Sequence, residues 1–229
     1  NVRVYLIAGT QHGGGPGVHA ATPTRGICQN LQNPLALRQI RLALSLALYQ
    51  WVANGIEPPP SRFPTAHNGG LLLASAIDFP SVPDVTYSGS YNPLHLNNSQ
   101  FPPSKQGEPY TVLVGRVDVD GNMRDGIKHP NLAVPVGTYT GWNLRREGFA
   151  QGEQCGGTGS FIPFASTRGQ REVSGDTRLS IEERYPTHEY YVRLVSEAAN
   201  ALVKDRLLLR QDADQIIELA QRSTVGTPR

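Results

Sequence analysis

The residues that most restrict this chain are those that break regular structure: 24 glycines and 18 prolines among 229 residues. Each proline removes a backbone donor and fixes φ, while each glycine opens the left-handed region. Long stretches therefore have to be turns, loops and short strands rather than a helical bundle. The restriction bites hardest at Glu57-Pro58-Pro59-Pro60-Ser61-Arg62-Phe63-Pro64, where four prolines exclude helix and central strand and impose an extended strap.

Ahead of the strap, Val2-Arg3-Val4-Tyr5-Leu6-Ile7-Ala8 reads as a buried-type strand. Gly9-Thr10-Gln11-His12-Gly13-Gly14-Gly15-Pro16-Gly17 can only be loop, and the loop continues to about Asn33. Asn33-Pro34 then supply an N-cap and an N1 proline. Leu37, Ile40, Leu44, Leu48 and Trp51 recur at helical spacing until Asn54-Gly55 stops the helix. Arg38, Arg41 and Ser45 mark its wetter side, so the other face is expected to pack on the sheet that holds the first strand.

Beyond the strap, short β segments are expected at residues 71–73, 110–117 and 132–139, with Asp120-Gly121 as a hairpin-type turn. Residues 156–175 read as loop, anchored by Ile162 and Phe164. Ser180-Ile181-Glu182-Glu183 forms a capping box that opens a helical region. Tyr191, Leu194, Val195, Ala198 and Leu202 carry one helical stripe through about Arg206, and Ala213, Ile216, Ile217 and Ala220 carry a second. The chain thus closes as an αα pair. No internal repeat or linker divides it, so residues 1–229 are expected to form one domain, with a strand-loop-helix unit over 1–56 and a β-rich and helical extension over 57–229.

Charge excludes some functions. With 21 basic and 19 acidic residues, a net charge of +2 and no Lys or Arg run, nothing marks a nucleic-acid or anionic-membrane partner. The longest apolar segment, residues 35–53, is interrupted by Arg38, Gln39, Arg41 and Gln50, so no membrane span is expected. The chain opens on Asn1 and runs straight into the strand, so a start upstream is expected, with any targeting segment there.

Cys28 and Cys155 have no metal-ligand spacing. They are either two inert thiols or one bridge. A bridge would close a long loop, contribute about 4–5 kcal/mol in the chain-entropy account and favour an oxidising compartment, secreted or periplasmic.

Several residues invite a chemical reading. His12 lies just past a strand's carboxyl end, where it is either a loop histidine bonded to backbone or a general base. Gly13-Gly14-Gly15-Pro16-Gly17 imitates a phosphate cradle but has no Lys-Ser/Thr and no helix directly after it. Asp118-Val119-Asp120-Gly121-Asn122 imitates a calcium loop, yet Met123 and His129 fall where glycine and glutamate belong, and a hairpin turn explains it better. His19, His67, His95, His129 and His188 show no i, i+4 pairing, so no metal site is expected. Tyr139, Trp142 and Phe161 either line an apolar acyl or alcohol pocket or are simply core. No G-x-S-x-G occurs: Ser90 and Ser160 sit in loops without the strand-turn-helix that an exposed nucleophile needs, and read as structural turn serines.

Ala8-Gly9-Thr10-Gln11-His12-Gly13 resembles the histidine loop of the α/β-hydrolase domain family of poorly characterised bacterial esterases. Four further segments match in the expected order. They are Trp51-Val52-Ala53-Asn54-Gly55 followed by Pro59-Pro60-Ser61-Arg62, then Thr138-Tyr139-Thr140-Gly141-Trp142-Asn143-Leu144-Arg145, Thr158-Gly159-Ser160-Phe161-Ile162-Pro163-Phe164 and Ser180-Ile181-Glu182-Glu183-Arg184-Tyr185. The resemblance implies an α/β class and the C-terminal portion of an α/β-hydrolase fold: last core strand, histidine loop and packing helix, with an appended small β layer and a C-terminal helix pair. It implies a serine ester hydrolase that works through an acyl-enzyme on a small-molecule ester, with His12 as general acid/base and no cofactor. The serine and the orienting acid would lie in a missing N-terminal portion before Asn1. The rival expectation is a non-catalytic binding or accessory module that pairs with a partner chain, because a lone edge strand beside a hydrophobic helix exposes backbone and apolar surface.

Overall fold

In the proline-rich strap few backbone donors remain, and Arg62 spends its own on the N-terminal segment. Its N–H donates to the Val4 carbonyl (2.9 Å) and its carbonyl accepts from Leu6 N–H (2.9 Å). Ile127 takes the next place along the same edge, donating to Leu6 O (2.7 Å) and accepting from Ala8 N–H (2.9 Å). Residues 2–8 are therefore not the regular sheet strand expected. They form an extended segment joined to two separate neighbours by isolated parallel bridges, Tyr5 to Arg62 and Ile7 to Ile127. Both bridges use the same side of the segment. The opposite edge, with the N–H groups of Arg3, Tyr5 and Ile7, has no backbone partner among the described residues. This computed structural model describes residues 2–18, 24–83, 85–87, 89, 95, 107, 109 and 111–227.

The regular elements are short and mostly antiparallel. β1 (Leu31–Gln32), β5 (Ser160–Pro163) and β4 (Gly137–Thr140) make a three-stranded sheet in the order β1-β5-β4. Its register sets Leu31 and Tyr139 on either side of Phe161. β2 (Leu71–Leu73) and β3 (Leu113–Gly115) form a separate two-stranded sheet. α1 is Arg38–Asn54, α2 Pro130–Ala133, α3 Arg168–Ser174, α4 Ile181–Arg184, α5 His188–Lys204 and α6 Arg210–Gln221.

β4 shows how the chain satisfies a buried strand without a full sheet. On the edge away from β5 the Asn122 amide replaces a neighbouring strand, donating to Gly137 O (3.1 Å) and accepting from Tyr139 N–H (2.8 Å). Asn122 is held by an Asp118-centred turn in which the Asp118 carboxylate accepts from the backbone of Asp120 and Asn122 (3.0 Å each). The calcium-like segment is thus a tight turn between Val117 and Met123, which bridge antiparallel. Arg178 and Asp176, both buried, form an ion pair (2.6 Å), and Arg178 also reaches Thr138 Oγ1 (2.8 Å) and Ile162 O (3.0 Å). This ties the three-stranded sheet to the turn after α3.

Three expectations are corrected. Residues 132–134 are not strand: His129 caps and Pro130 opens a short helix, α2, and the strand begins only at Gly137. Residues 160–163, read as loop, are β5, and Thr167 with Gln170 forms a capping box for α3 inside the same stretch. Asn33 does not cap α1, which starts at Arg38 with no side-chain cap; the Asn33 oxygen accepts instead from Leu35 N–H (2.9 Å), in a turn ahead of the helix. The C-terminal stop holds, with Gly55 left-handed at φ 68°.

The main core gathers α5 and α6 (Val195, Ala199, Leu202, Ala213, Ile216) with Ile40 of α1 and Ile127, and Tyr5, Ile7 and Leu44 pack on it. A second cluster, Ala8, Leu35, Leu132 and Tyr139, lies under the start of the histidine loop.

Candidate active site

The extended segment ends where Thr10 Oγ1 donates to Ile7 O (2.9 Å) and Gly9 turns at φ 66°. Past this turn, amide side chains hold the loop. Gln11 accepts from Gly159 N–H (2.9 Å) and donates to Gly14 O (3.2 Å). Asn33 donates to Gly9 O (2.6 Å) and Thr140 O (2.9 Å), while its oxygen accepts from Leu35 N–H (2.9 Å). Asn143 donates to Asn30 O (3.1 Å) and Gly159 O (3.2 Å). The loop that carries His12 is thereby fastened to the start of β5, the end of β4 and the approach to α1.

The glycines serve close packing rather than flexibility. A Cβ on Gly15 would lie 2.5 Å from Asn33 O, and one on Gly159 would lie 2.2 Å from Thr140 O. Neither position admits a side chain without moving backbone.

His12 itself is exposed, its Cβ 3.0 Å from where a Cβ on Gly157 would stand. Its ring makes no hydrogen bond or ion pair with any described residue. The result is an imidazole on a braced loop with both nitrogens open to a group presented from outside. It can take or return a proton there, but none of the described carboxylates orients it. Cys28 and Cys155 are bonded (S–S 2.09 Å), which anchors the 156–159 loop beneath His12 to the chain just before β1.

Of the three aromatic residues expected either to line a substrate pocket or to be core, Tyr139 and Trp142 share the wall of one cavity, and Phe161 packs on Tyr139. Tyr139 is only 1% exposed and belongs to the second core cluster, its ring 5.0 Å from that of half-buried Phe161. Burial holds the Tyr139 hydroxyl well above the ordinary phenol range, so it stays protonated. Trp142 packs with two rings not singled out in the sequence, Phe79 (5.9 Å) and Tyr87 (6.0 Å), themselves stacked at 5.2 Å. These three, with Met123, Val117 and Tyr139, line a cavity of about 90 Å³ that reaches Gly9 and Gly141 at the root of the histidine loop. No local pattern marks Phe79 or Tyr87, because the cavity is assembled from four distant segments.

The remaining candidates fall away on contacts. Ser160 is fully buried and donates its hydroxyl to Trp142 O (2.7 Å), so it is a structural serine. Ser90 and His19 lie outside the described residues. His95 bonds Gly107 O (2.7 Å), and His188 bonds Val225 O (2.8 Å) and Gln221 O (3.1 Å). No three His, Cys, Asp or Glu side chains converge as a metal site among the described residues. No described helix is long and apolar enough to cross a membrane.

A braced, solvent-facing histidine at the carboxyl end of a parallel-bridged segment, with helices packed against it, fits a hydrolase of the α/β class. The sequence model of the α/β hydrolase domain family matches residues 1–218, and the chain belongs to that family. The match spans nearly the whole chain, and the structure it covers combines helices with small antiparallel sheets. No curated protein and no solved structure matches it.

Proposed function

We propose that this chain is the C-terminal portion of a serine ester hydrolase and supplies its general acid/base, His12. The serine and the orienting carboxylate come from sequence outside these 229 residues. The observation that carries the reading is His12: its loop is held by Gln11 and Asn33, yet its ring is left exposed and without a partner among the described residues. A histidine that merely serves structure bonds its neighbours, as His188 does.

In the reaction the imidazole takes the serine proton as the hydroxyl attacks the ester carbonyl. It then returns that proton to the leaving alcohol, and repeats the exchange with water to release the acid. Trp142, Phe79 and Tyr87 would hold the apolar acyl or alcohol group beside it, with Tyr139 and Phe161 as the core behind. The Cys28–Cys155 bond suits a secreted or periplasmic setting.

The open backbone edge at Arg3, Tyr5 and Ile7 offers a place for the strand that would bring the serine. It also favours a second reading, an accessory module that pairs with a separate chain.

The test is to read the coding sequence before Asn1, express the complete protein and compare it with its His12→Ala variant on p-nitrophenyl esters. A G-x-S-x-G and a later acid upstream, with turnover falling by about 10⁴-fold or more in the variant, are expected. Unchanged turnover in His12→Ala, or a start codon directly before Asn1, would sink the proposal, and the latter would leave the accessory module as the reading.

A further inference from the structure

The cavity beside Trp142 constrains both the charge and the length of what it can hold. Among the described residues no charged side chain stands in its wall. The hydroxyls there are already engaged: Tyr87 donates to Ala74 O (3.0 Å), Thr140 donates to Trp142 O, and Tyr139 is bonded to the backbone of Val136. An ion would find nothing to replace its water, whereas an alkyl group would meet three rings and a thioether. Gly141 is the exposed residue of the wall, and a Cβ on it would lie 3.0 Å from Thr10 O, two residues before His12. Met123, by contrast, packs on the core cluster that contains Tyr139, and its methyl lies 2.9 Å from where a Cβ on Gly115 would stand. The cavity therefore runs from the histidine loop inward to Met123, which has core on one side and β3 on the other. An apolar cavity of about 150 Å³ takes a benzene ring, so the roughly 90 Å³ here leave room for about four carbons.

We propose that this cavity is a subsite for a short, uncharged alkyl chain of about four carbons or fewer, and that Met123 sets its length. As a binding site it stands without the ester-hydrolase reading. As a substrate subsite it rests on that reading and makes the substrate a short-chain ester, with the chain on its acyl or its alcohol side.

Met123 is the one methionine in the sequence, so its isotope-labelled methyl gives a site-specific NMR signal, and the Trp142 indole gives a second. Methyl acetate, propionate, butyrate, valerate and hexanoate titrated into the 229-residue chain should shift both. Affinity should rise about fourfold with each added CH₂ up to butyrate and then level off. Met123→Ala, followed at Trp142, should move that break outward by about two carbons; if it does not fold, Met123→Val takes its place. No shift at either signal, affinity that is flat or still rising through hexanoate, or a break that the Met123 variant leaves in place would overturn the inference. In the complete protein proposed above, p-nitrophenyl acyl esters and alkyl acetates assign the side, since kcat/KM should fall beyond about four carbons in the series whose chain enters the cavity. A fall in neither series, in an enzyme that His12→Ala disables, would refute the substrate role and spare the hydrolase reading. The break in binding without any esterase activity would uphold the subsite and sink that reading.

Discussion

His129 carries no role that its sequence context assigns, and its position gives it a physical one. It is 1% exposed, and its Nδ1 accepts from Asn131 N–H (3.2 Å) to cap α2. The proton must then sit on Nε2, which is buried without a partner. An imidazolium there would have nothing to solvate it, and burial pulls the pKa from 6.5 to about 4. The folded pKa is below the unfolded one, so between these values the unfolded chain binds a proton that the folded chain refuses. Stability should hold steady above about pH 6.5 and fall by up to about 3 kcal/mol as pH drops toward 4. Glu183 acts in a different window. Hydrogen bonds from the backbone and hydroxyl of Ser180 hold its carboxyl near 2, so its contribution is lost only below about pH 4.5. Urea unfolding at a series of pH values should show the higher window vanish in His129→Asn, which keeps an N-cap acceptor. Parallel curves for the two proteins would show that His129 is not its source.

At the scale of elements, what the sequence revealed was what its neighbours in the chain determine. Gly55 ends α1 because a left-handed residue is needed there, and Ser180-x-x-Glu183 opens α4 because both halves of the capping box lie within one turn. The start of α1 is not legible in the sequence, since Asn33 Oδ1 accepts from Leu35 N–H in a turn that lies ahead of the helix, while its amide group donates to Gly9 O and to Thr140 O on a distant strand. β5 was missed because it exists through pairing with β4 and β1 and has little strand character of its own. Thr167 and Gln170, by contrast, made a local signal that could have been read. The candidate site divides in the same way: His12 stands in a short motif, while the ring set around Trp142 exists only after folding. The Cys28–Cys155 bond crosses these local units, closing a separation of 127 residues. A Cys28→Ser, Cys155→Ser double variant should therefore lose about 4–5 kcal/mol of unfolding free energy in urea, mainly through a freer unfolded chain. A loss under about 1 kcal/mol would mean that the amide network around Gly159 closes this loop without the bond.

On the scale of the whole molecule, α1 has too many apolar sides for the partners it has. Ile40, Ala43 and Ala47 are buried, yet Leu42, Leu46, Leu48, Tyr49 and Val52 are exposed, Val52 by 81% and Tyr49 by 66%. Apart from the polar strip of Arg38, Arg41 and Ser45, α1 is apolar on more sides than one buried face needs. The edge at Arg3, Tyr5 and Ile7, which has no backbone partner among the described residues, begins beside this helix, with the Arg3 guanidinium 5.6 Å from the Trp51 ring. Unpaired strand backbone beside an apolar patch is a template for association. The 229-residue chain alone should therefore self-associate, with a light-scattering mass that rises with concentration. Leu46→Glu with Val52→Lys should return it to a monomer without lowering its melting temperature. A monomeric unmodified chain at all concentrations would show that this surface needs no cover. Were the chain part of a longer protein, as proposed above, cover of α1 by the same domain would predict the reverse: the two charges would be buried, and the double variant should melt at a lower temperature than its parent. An unchanged melting temperature in such a protein would show that no further part of it packs on α1 and would leave the surface for a separate chain.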